Sequence, residues 1–247
     1  MKLKENERID DLEFENLKII QNIEGFCFGI DSVLLSDFAK KIKSDSKVLD
    51  IGTGTGIIPI LLSKKSRAKK FYAVEVQEEV ADMAKRSIKI NKLEDKIEII
   101  NDNIKNINNY IENNTIDAIV TNPPYKKIST GITNENEKKL ISRHEVKCNL
   151  EDIIKISYKL LKSKGEFYMI HRPDRLVEII SIMRNYKIEP KIIRFIYSDK
   201  NKESKMVLVK GVKDANEYII VEKPLIIYNE KGEYTDEILE IYNKKEK

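Results

Sequence analysis

The segment Lys47-Val48-Leu49-Asp50-Ile51, running straight into Gly52-Thr53-Gly54-Thr55-Gly56, narrows the possible folds more than any other stretch. A short apolar run that ends in glycines reads as a buried strand followed by a tight turn. Ile57 to Leu62 then continues as an apolar stretch of helical character. Strand, glycine turn and helix together form the opening unit of a doubly wound α/β sheet, where ligands sit at the carboxyl ends of parallel strands.

The spacing of the glycines selects the ligand. A dinucleotide fingerprint needs a third glycine where Ile57 stands, and a phosphate loop needs a Gly-Lys-Ser/Thr ending that is absent. A G-x-G-x-G loop preceded by an acid, here Asp50, is similar to the loop of S-adenosylmethionine (SAM) methyltransferases. In that reading Gly52, Thr53, Gly54 and Gly56 let the backbone approach the amino-acid part of the cofactor, and Asp50 places negative charge near its ammonium. A tight turn with no ligand is the alternative. The second strand, Phe71 to Glu75, ends in an acid about 20 residues after the loop, where a carboxylate reaches ribose hydroxyls; Glu75 as a cap of the next helix is the lesser alternative. The third strand, Lys96 to Ile100, ends in Asn101-Asp102. Asp102 is placed to accept from an adenine amino group of the cofactor, or to cap a helix.

A fourth strand, Ile116 to Thr121, ends in Asn122-Pro123-Pro124-Tyr125. The prolines remove two backbone donors and restrict the local dihedrals. The Asn122 side-chain carbonyl and the Pro123 backbone carbonyl are then available as acceptors, and the Tyr125 ring offers a flat face. That set suits a planar amino group gripped through its two hydrogens; a proline-stiffened loop is the alternative.

Helical periodicity continues between the strands. Val80, Met83, Ala84, Ser87 and Ile88 share one face, as do Ile153, Ile156, Ser157 and Leu160 in a helix that Gly165 is expected to end. Phe167 to Ile170 reads as a fifth strand, and Leu176, Ile180 and Met183 mark a helix after it. Ile192 to Ile196 and Met206 to Val209 have only a polar turn between them, which predicts an antiparallel hairpin at one sheet edge. The expectation is a Rossmann-like α/β fold: a seven-stranded, mostly parallel sheet with helices on both faces. Residues 1–45 form an N-terminal extension packing on the core, 46–212 the SAM-dependent domain, and 213–247 a C-terminal strand extension around Pro224 and Gly232.

No apolar run reaches the roughly 18 residues of a membrane span, and Met1 to Asp11 is charged without a signal-peptide core. Cys27 and Cys148 are too few for a disulfide framework or a zinc site. The expectation is a reduced, cytoplasmic protein with no metal and no obligate protein partner. With 45 basic and 41 acidic residues, the net charge of +4 does not establish nucleic-acid binding. The run Ser63 to Lys70 is expected on the face opposite the cofactor, as a solvated patch. Lys126, Lys127, Arg143, Lys147, Arg172 and Arg175 follow strand ends on the active edge and are candidates for phosphate contacts.

Taken together the chain resembles the bacterial valine tRNA (adenine-37-N6)-methyltransferases along almost its whole length. The resemblance is carried by Gln21 with Gly25 to Leu35, by Asp50 to Gly56, and by Asn122 to Tyr125. Ser142 to Glu145, Phe167 to Pro173, Pro224-Leu225 and Gly232 to Thr235 extend it. Cys27 departs from the pattern, since the family more often has a basic residue there. The resemblance implies a class I SAM-dependent enzyme with a tRNA substrate. Catalysis falls to Asn122, Pro123 and Tyr125, with Asn122 also beside the cofactor, and RNA contacts to Lys126, Arg143, His144 and Arg172. His144 has a second reading, ordering its own loop with Arg143 and Glu145. Asp31 is expected to cap the first helix, with cofactor contact as the lesser reading. The segment from Lys126 to Ser142, directly after the catalytic strand, is expected to close over substrate.

Two rivals share the Asn-Pro-Pro-Tyr piece. Methyltransferases of release-factor glutamine amides carry an N-terminal recognition domain, for which about 45 residues before the first strand are too few. Adenine methyltransferases acting on DNA or ribosomal RNA form the other alternative, and the DNA enzymes usually add a separate target-recognition domain.

Overall fold

The computed structural model describes residues 3–25, 27–125 and 149–244. Strand β3 (Lys47–Ile51) is central, with β4 (Lys70–Glu75) and then β5 (Ile97–Asn101) on one side and β6 (Ile116–Thr121) on the other. Beyond β6 lie β7 (Leu161–His171), β9 (Ser204–Lys213) and β8 (Ile188–Tyr197). The order β8-β9-β7-β6-β3-β4-β5 reverses at β3, and only β9 is antiparallel to its neighbours. This is the seven-stranded frame with an edge hairpin that the sequence predicts. Two further strands of two residues each, β10 (Ile220–Val221) and β11 (Leu225–Ile226), pair parallel to the outer edge of β8.

Alternation along β3 builds two cores. Val48 joins the apolar cluster under α1 (Ile30–Phe38), α2 (Ile57–Lys65) and Ile88 of α3 (Glu78–Ile90). Leu49 and Ile51 join the opposite cluster with α4 (Leu150–Leu160), α5 (Leu176–Asn185) and the 3-10 turn Ile104–Asn109. Period-two burial on both faces is what a parallel sheet covered by helices requires. Ahead of the frame, strands β1 (Glu7–Asp11) and β2 (Lys18–Asn22) form an antiparallel hairpin seated on α3. Ser87 Oγ accepts the Ile20 N–H at 2.9 Å, and Arg86 donates to Glu7 at 2.7 Å.

Three local expectations change. Gly165 does not end a helix: α4 stops at Leu160 and β7 begins at Leu161, with Gly165 inside it. Pairing to β6 skips from Leu161 to Glu166, and a Cβ on Gly165 would fall 2.8 Å from the Lys162 carbonyl oxygen. The glycine is needed by that bulge. Lys65 is no solvated member of its basic run, since its side chain is only 5% exposed. It donates to the Ile241 carbonyl at 2.6 Å and lies over the Phe14 ring. After Lys213 the short strands extend β8, Tyr228 and Tyr234 form a single antiparallel bridge across the Gly232 turn, and Asp236–Ile241 is a helix, α6.

Gly211 of β9 sits where α5 meets the sheet. An added Cβ would press on Met183 Cε and lie 2.7 Å from Ile188 Cγ2, a rigid branch. Gly211→Ala is therefore expected to cost about 1–3 kcal/mol by overpacking and to lower Tm by several degrees. A scanning-calorimetry trace unchanged from wild type would refute this account of the packing.

Candidate active site

Parallel pairing puts the ends of four strands in one row. Ile51 pairs with Val74 and with Thr121, and Glu75 with Asn101. Gly52 and Asn122, each one residue further on, therefore emerge side by side at the carboxyl edge. Thr121 Oγ1 donates to the Ile51 carbonyl at 3.0 Å, and Asn101 Nδ2 to the Glu75 carbonyl at 2.9 Å, which ties adjacent ends together.

The glycine loop is held open by these bonds. The Gly52 and Thr53 N–H groups both donate to the Val74 carbonyl at 3.0 Å. Gly54 N–H donates to Glu75 Oε2 at 3.1 Å, while Glu75 Oε1 accepts from Gln77 N–H at 2.9 Å. Gly52, Gly54 and Gly56 have φ of +74°, +58° and +88°, a region other residues enter only with strain. A Cβ on Gly52 or Gly54 would meet nothing within 4 Å, so the loop borders open space. Asp50 lies beneath it, 1% exposed. Neither of its carboxylate oxygens, nor Thr53 Oγ1, has a hydrogen-bond partner among the described residues. Burial pushes the Asp50 carboxyl up to about 7, and the Glu75 charge adds to it. A buried acid without a cation beside it is a site that a ligand ammonium would complete.

At the neighbouring strand end, Asn122 is clamped from α1. Its Nδ2 donates to Asp31 Oδ2 at 3.1 Å and to Ser32 Oγ at 3.3 Å. That fixes the amide with Oδ1 on the other side. The Tyr125 hydroxyl stands 2.6 Å from Asn122 Oδ1 and 2.7 Å from Asp31 Oδ2, and its single proton serves only one of them at a time. Burial, then the Asp31 charge, raises the phenol well above its ordinary value, so it stays protonated. Asp31 thus ties the start of α1 to the end of β6. Its Oδ1 accepts the Ser32 N–H at 3.0 Å, while Oδ2 faces the Asn122 amide and the Tyr125 hydroxyl. Gly29, not Asp31, is the N-cap residue of α1.

His171, at the end of β7, meets the Tyr125 ring edge-on with centroids 5.4 Å apart. Its Nδ1 accepts the Arg172 N–H at 2.7 Å, which leaves the proton on Nε2, buried and unpartnered. Burial, with Arg175 nearby, lowers its pKa to about 4, so the ring is neutral at pH 7. No residue pattern singles out the Asp31 and His171 contacts; both residues lie in segments that carry the family resemblance, Gly25 to Leu35 and Phe167 to Pro173.

The remaining candidates are more scattered. Asp102 is on the same edge, but its carboxylate is engaged by Asn103 N–H at 2.6 Å, Asn106 Nδ2 at 2.8 Å and the Tyr110 hydroxyl at 3.1 Å. Those bonds hold it below the usual carboxylate range, led by Asn106; the cap of the 3-10 turn is its neighbour Asn103, whose Oδ1 accepts the Lys105 N–H at 3.0 Å. Pro123 is buried directly after Asn122. Arg172 is half-exposed with Asp174 at 3.5 Å, whereas Arg175 is paired with Glu178 at 2.7 Å. Lys126, Lys127, Arg143, His144 and Lys147, with the Lys126 to Ser142 segment, lie outside the described residues. Among the described residues, no group of three His, Cys, Asp or Glu side chains is placed to hold a metal, and no helix is long and apolar enough to cross a membrane.

A doubly wound sheet in this order, with an acid-backed glycine cradle beside an amide acceptor, defines a class I methyltransferase. Residues 29–184 match the Methyltransferase small domain family, and the chain belongs to that family. A protein of Pedobacter heparinus named tRNA1(Val) (adenine(37)-N6)-methyltransferase is 27% identical over 90% of this chain and 92% of its own. One of the same name from Flavobacterium johnsoniae is 23% identical over 93% and 96%. Among solved structures, a predicted O-methyltransferase of Agrobacterium tumefaciens aligns with a TM-score of 0.68, at 19% identity over 87% of this chain and 96% of that one. TYW2 of M. jannaschii in complex with AdoMet aligns at 0.58, with 14% identity over 86% and 88%. The cradle fits SAM: open space over the glycines, a buried unpaired carboxylate for its ammonium, and Glu75 at the end of the next strand.

The raised Asp50 pKa has a definite consequence for stability. From its ordinary value near 3.8 up to about 7, the native protein binds a proton that the unfolded chain has released. Native stability therefore falls as pH rises through that window and levels off above it. Asp50→Asn removes the penalty. Denaturation of the ligand-free protein should show the variant gaining on wild type between pH 5 and 8, by an amount on the order of a few kcal/mol. Calorimetry should show SAM affinity lowered at least about tenfold, the loss of one charge-assisted contact. A pH-independent stability difference would count against the buried, unpaired carboxylate.

Proposed function

We propose that this chain transfers the methyl group of SAM to the exocyclic amino nitrogen of adenine-37 in a valine tRNA. The observation that carries this reading is the Asn122 amide at the end of β6. Asp31 and Ser32 take its N–H donors, so its carbonyl oxygen is presented as an acceptor beside the glycine cradle. The substrate follows from the names of the relatives, which span nearly the whole chain.

SAM supplies an electrophilic methyl carbon with a neutral thioether as leaving group. The work of the chain is to orient the nucleophile. Asp50 would hold the cofactor ammonium, Glu75 would take the ribose hydroxyls, and the glycine loop would seat the amino-acid end. Asn122 Oδ1 and the Pro123 carbonyl each accept one hydrogen of the target amino group. Those two acceptor dipoles would stabilise the positive charge that the nitrogen gains on methylation, and one of its N–H protons would then pass to solvent to give the neutral product. The Tyr125 hydroxyl now occupies the position between Asn122 and Asp31 that the amino group needs. The ring gives up that bond and stacks on the adenine, which enters only after leaving its own stack in the RNA. The neutral His171 ring backs Tyr125 and carries no charge that would repel the developing cation.

Mass spectrometry of nucleosides from a deletion strain tests the assignment: valine tRNA should lose N6-methyladenosine at position 37 and regain it on complementation. A strain whose tRNA is unchanged but whose release factor loses a methylated glutamine would hand the function to the amide-methylating rival.

Separate variants test the clamp. Asn122→Ala should bind SAM like wild type and slow single-turnover methylation on the order of a hundredfold or more. Asp31→Ala, which frees the amide to rotate, should act in the same direction with a smaller effect. Tyr125→Phe should be milder than Tyr125→Ala, because the ring face remains. Full activity in Asn122→Ala would eliminate the acceptor role.

A further inference from the structure

After β11 the chain passes through Ile227 to Tyr228, turns at Asn229 to Gly232, and returns through Tyr234 into α6, which ends beside Tyr242. The three tyrosine rings form a ladder. Tyr228 and Tyr234 are stacked with centroids 5.4 Å apart and planes 12° from parallel; Tyr234 and Tyr242 follow at 5.8 Å and 14°. Such an array usually fills a core, yet Tyr228 is 40% and Tyr234 is 37% exposed. The turn that carries them is firmly built. Asn229 Oδ1 accepts the Lys231 and Glu233 N–H groups at 2.9 and 3.1 Å, and Gly232 takes a φ of +79°. Tyr228 N–H donates to the Ser198 carbonyl at 2.8 Å, and Thr235 Oγ1 to the Ile226 carbonyl at 2.7 Å.

The ladder's place in the fold gives it meaning. Strand β8 runs parallel to β7, because both are antiparallel to β9. The ends of β8 and of β11 therefore lie on the same edge as His171 and Asn122. The inner rung, Tyr242, lines a cleft with Phe28 and with Val33 of α1, the helix that carries Asp31 and Ser32. A line of flat rings thus leads outward from the flank of α1 to an open face at Tyr228.

We infer that the Tyr228–Tyr234–Tyr242 ladder is a stacking platform for the unpaired nucleotides that flank the target adenine in the RNA. This rests on the methylation of tRNA proposed above. Pulling a base out of a single-stranded loop leaves its neighbours without a stacking partner. Aromatic side chains at the pocket rim restore that stacking with little regard to sequence, since every base has a π face. The Lys231 ammonium at the tip of the turn has no acidic partner among the described residues, and its neighbour Glu230 is occupied by Lys200. A cation beside the rings suits the phosphates between stacked nucleotides.

Steady-state methylation of an anticodon-arm oligoribonucleotide tests the platform, with 2-aminopurine replacing the nucleotide next to the target adenine in a parallel binding assay. Tyr228→Ala and Tyr234→Ala should each raise KM for the RNA roughly 5- to 100-fold, with turnover at saturating RNA and SAM affinity close to wild type. Tyr228→Phe and Tyr228→Trp should restore KM, and the 2-aminopurine quenching seen with wild type should weaken in the alanine variants. Unchanged KM and quenching in variants that bind SAM normally would overturn the platform while leaving tRNA methylation intact. A wild-type protein that transfers no methyl group to the RNA would overturn both.

Discussion

Parallel strands all run in one direction, so the residues that end them are forced onto a common edge. In this protein that constraint acts through the pairing of Ile51 with Val74 and Thr121. It sets Gly52, Glu75 and Asn122 in adjacent positions although about 70 residues separate the first from the last. The bonds beyond the ladder depend on it. The Val74 carbonyl can receive both Gly52 and Thr53, and Glu75 can reach Gly54, only because β3 and β4 end level with each other. A slip of one residue would turn Asp50 from its buried position to the opposite face and dismantle the cradle.

Charge is concentrated where that edge is most buried. Asp50 and Glu75 are both nearly inaccessible and close enough for one to raise the other. Glu75 is compensated by backbone N–H groups, whereas Asp50 has none of its own. A fold selected for stability alone would not keep such a group. Under the proposed function its presence is preorganisation: the penalty is carried by the free protein and would be relieved by the cationic ammonium of the cofactor. The acceptor site follows the opposite rule. Asn122, Asp31, Ser32 and Tyr125 satisfy one another, so the amide cannot flip and the site stays defined without substrate.

The frame was readable because its signals are local. Apolar runs of five or six residues, glycines at alternate positions and two prolines after Asn122 each impose a backbone geometry through sterics alone. The misreadings share one cause, dependence on distant neighbours. Gly165 looks like a helix terminator by position, but it serves a bulge set by pairing with β6. Lys65 sits in a basic run, yet Phe14 and the Ile241 carbonyl, far away in sequence, draw it inside. Asp31 reads as a cap because nothing near it in sequence reveals Asn122 across 91 residues.

Sequence by itself determined the doubly wound sheet, the glycine cradle and the acceptor segment after β6, since short-range sterics and hydrophobic periodicity specify them. The tertiary structure alone decided which groups complete the site. It brought α1 against the end of β6, so that a carboxylate orients the Asn122 amide. It left Asp50 without a partner and His171 with a buried free donor. It also carried the C-terminal tyrosines to the catalytic edge. The physical reason is that hydrogen-bond satisfaction and burial are properties of the packed chain: they depend on which residues meet in space, and sequence separation does not encode that.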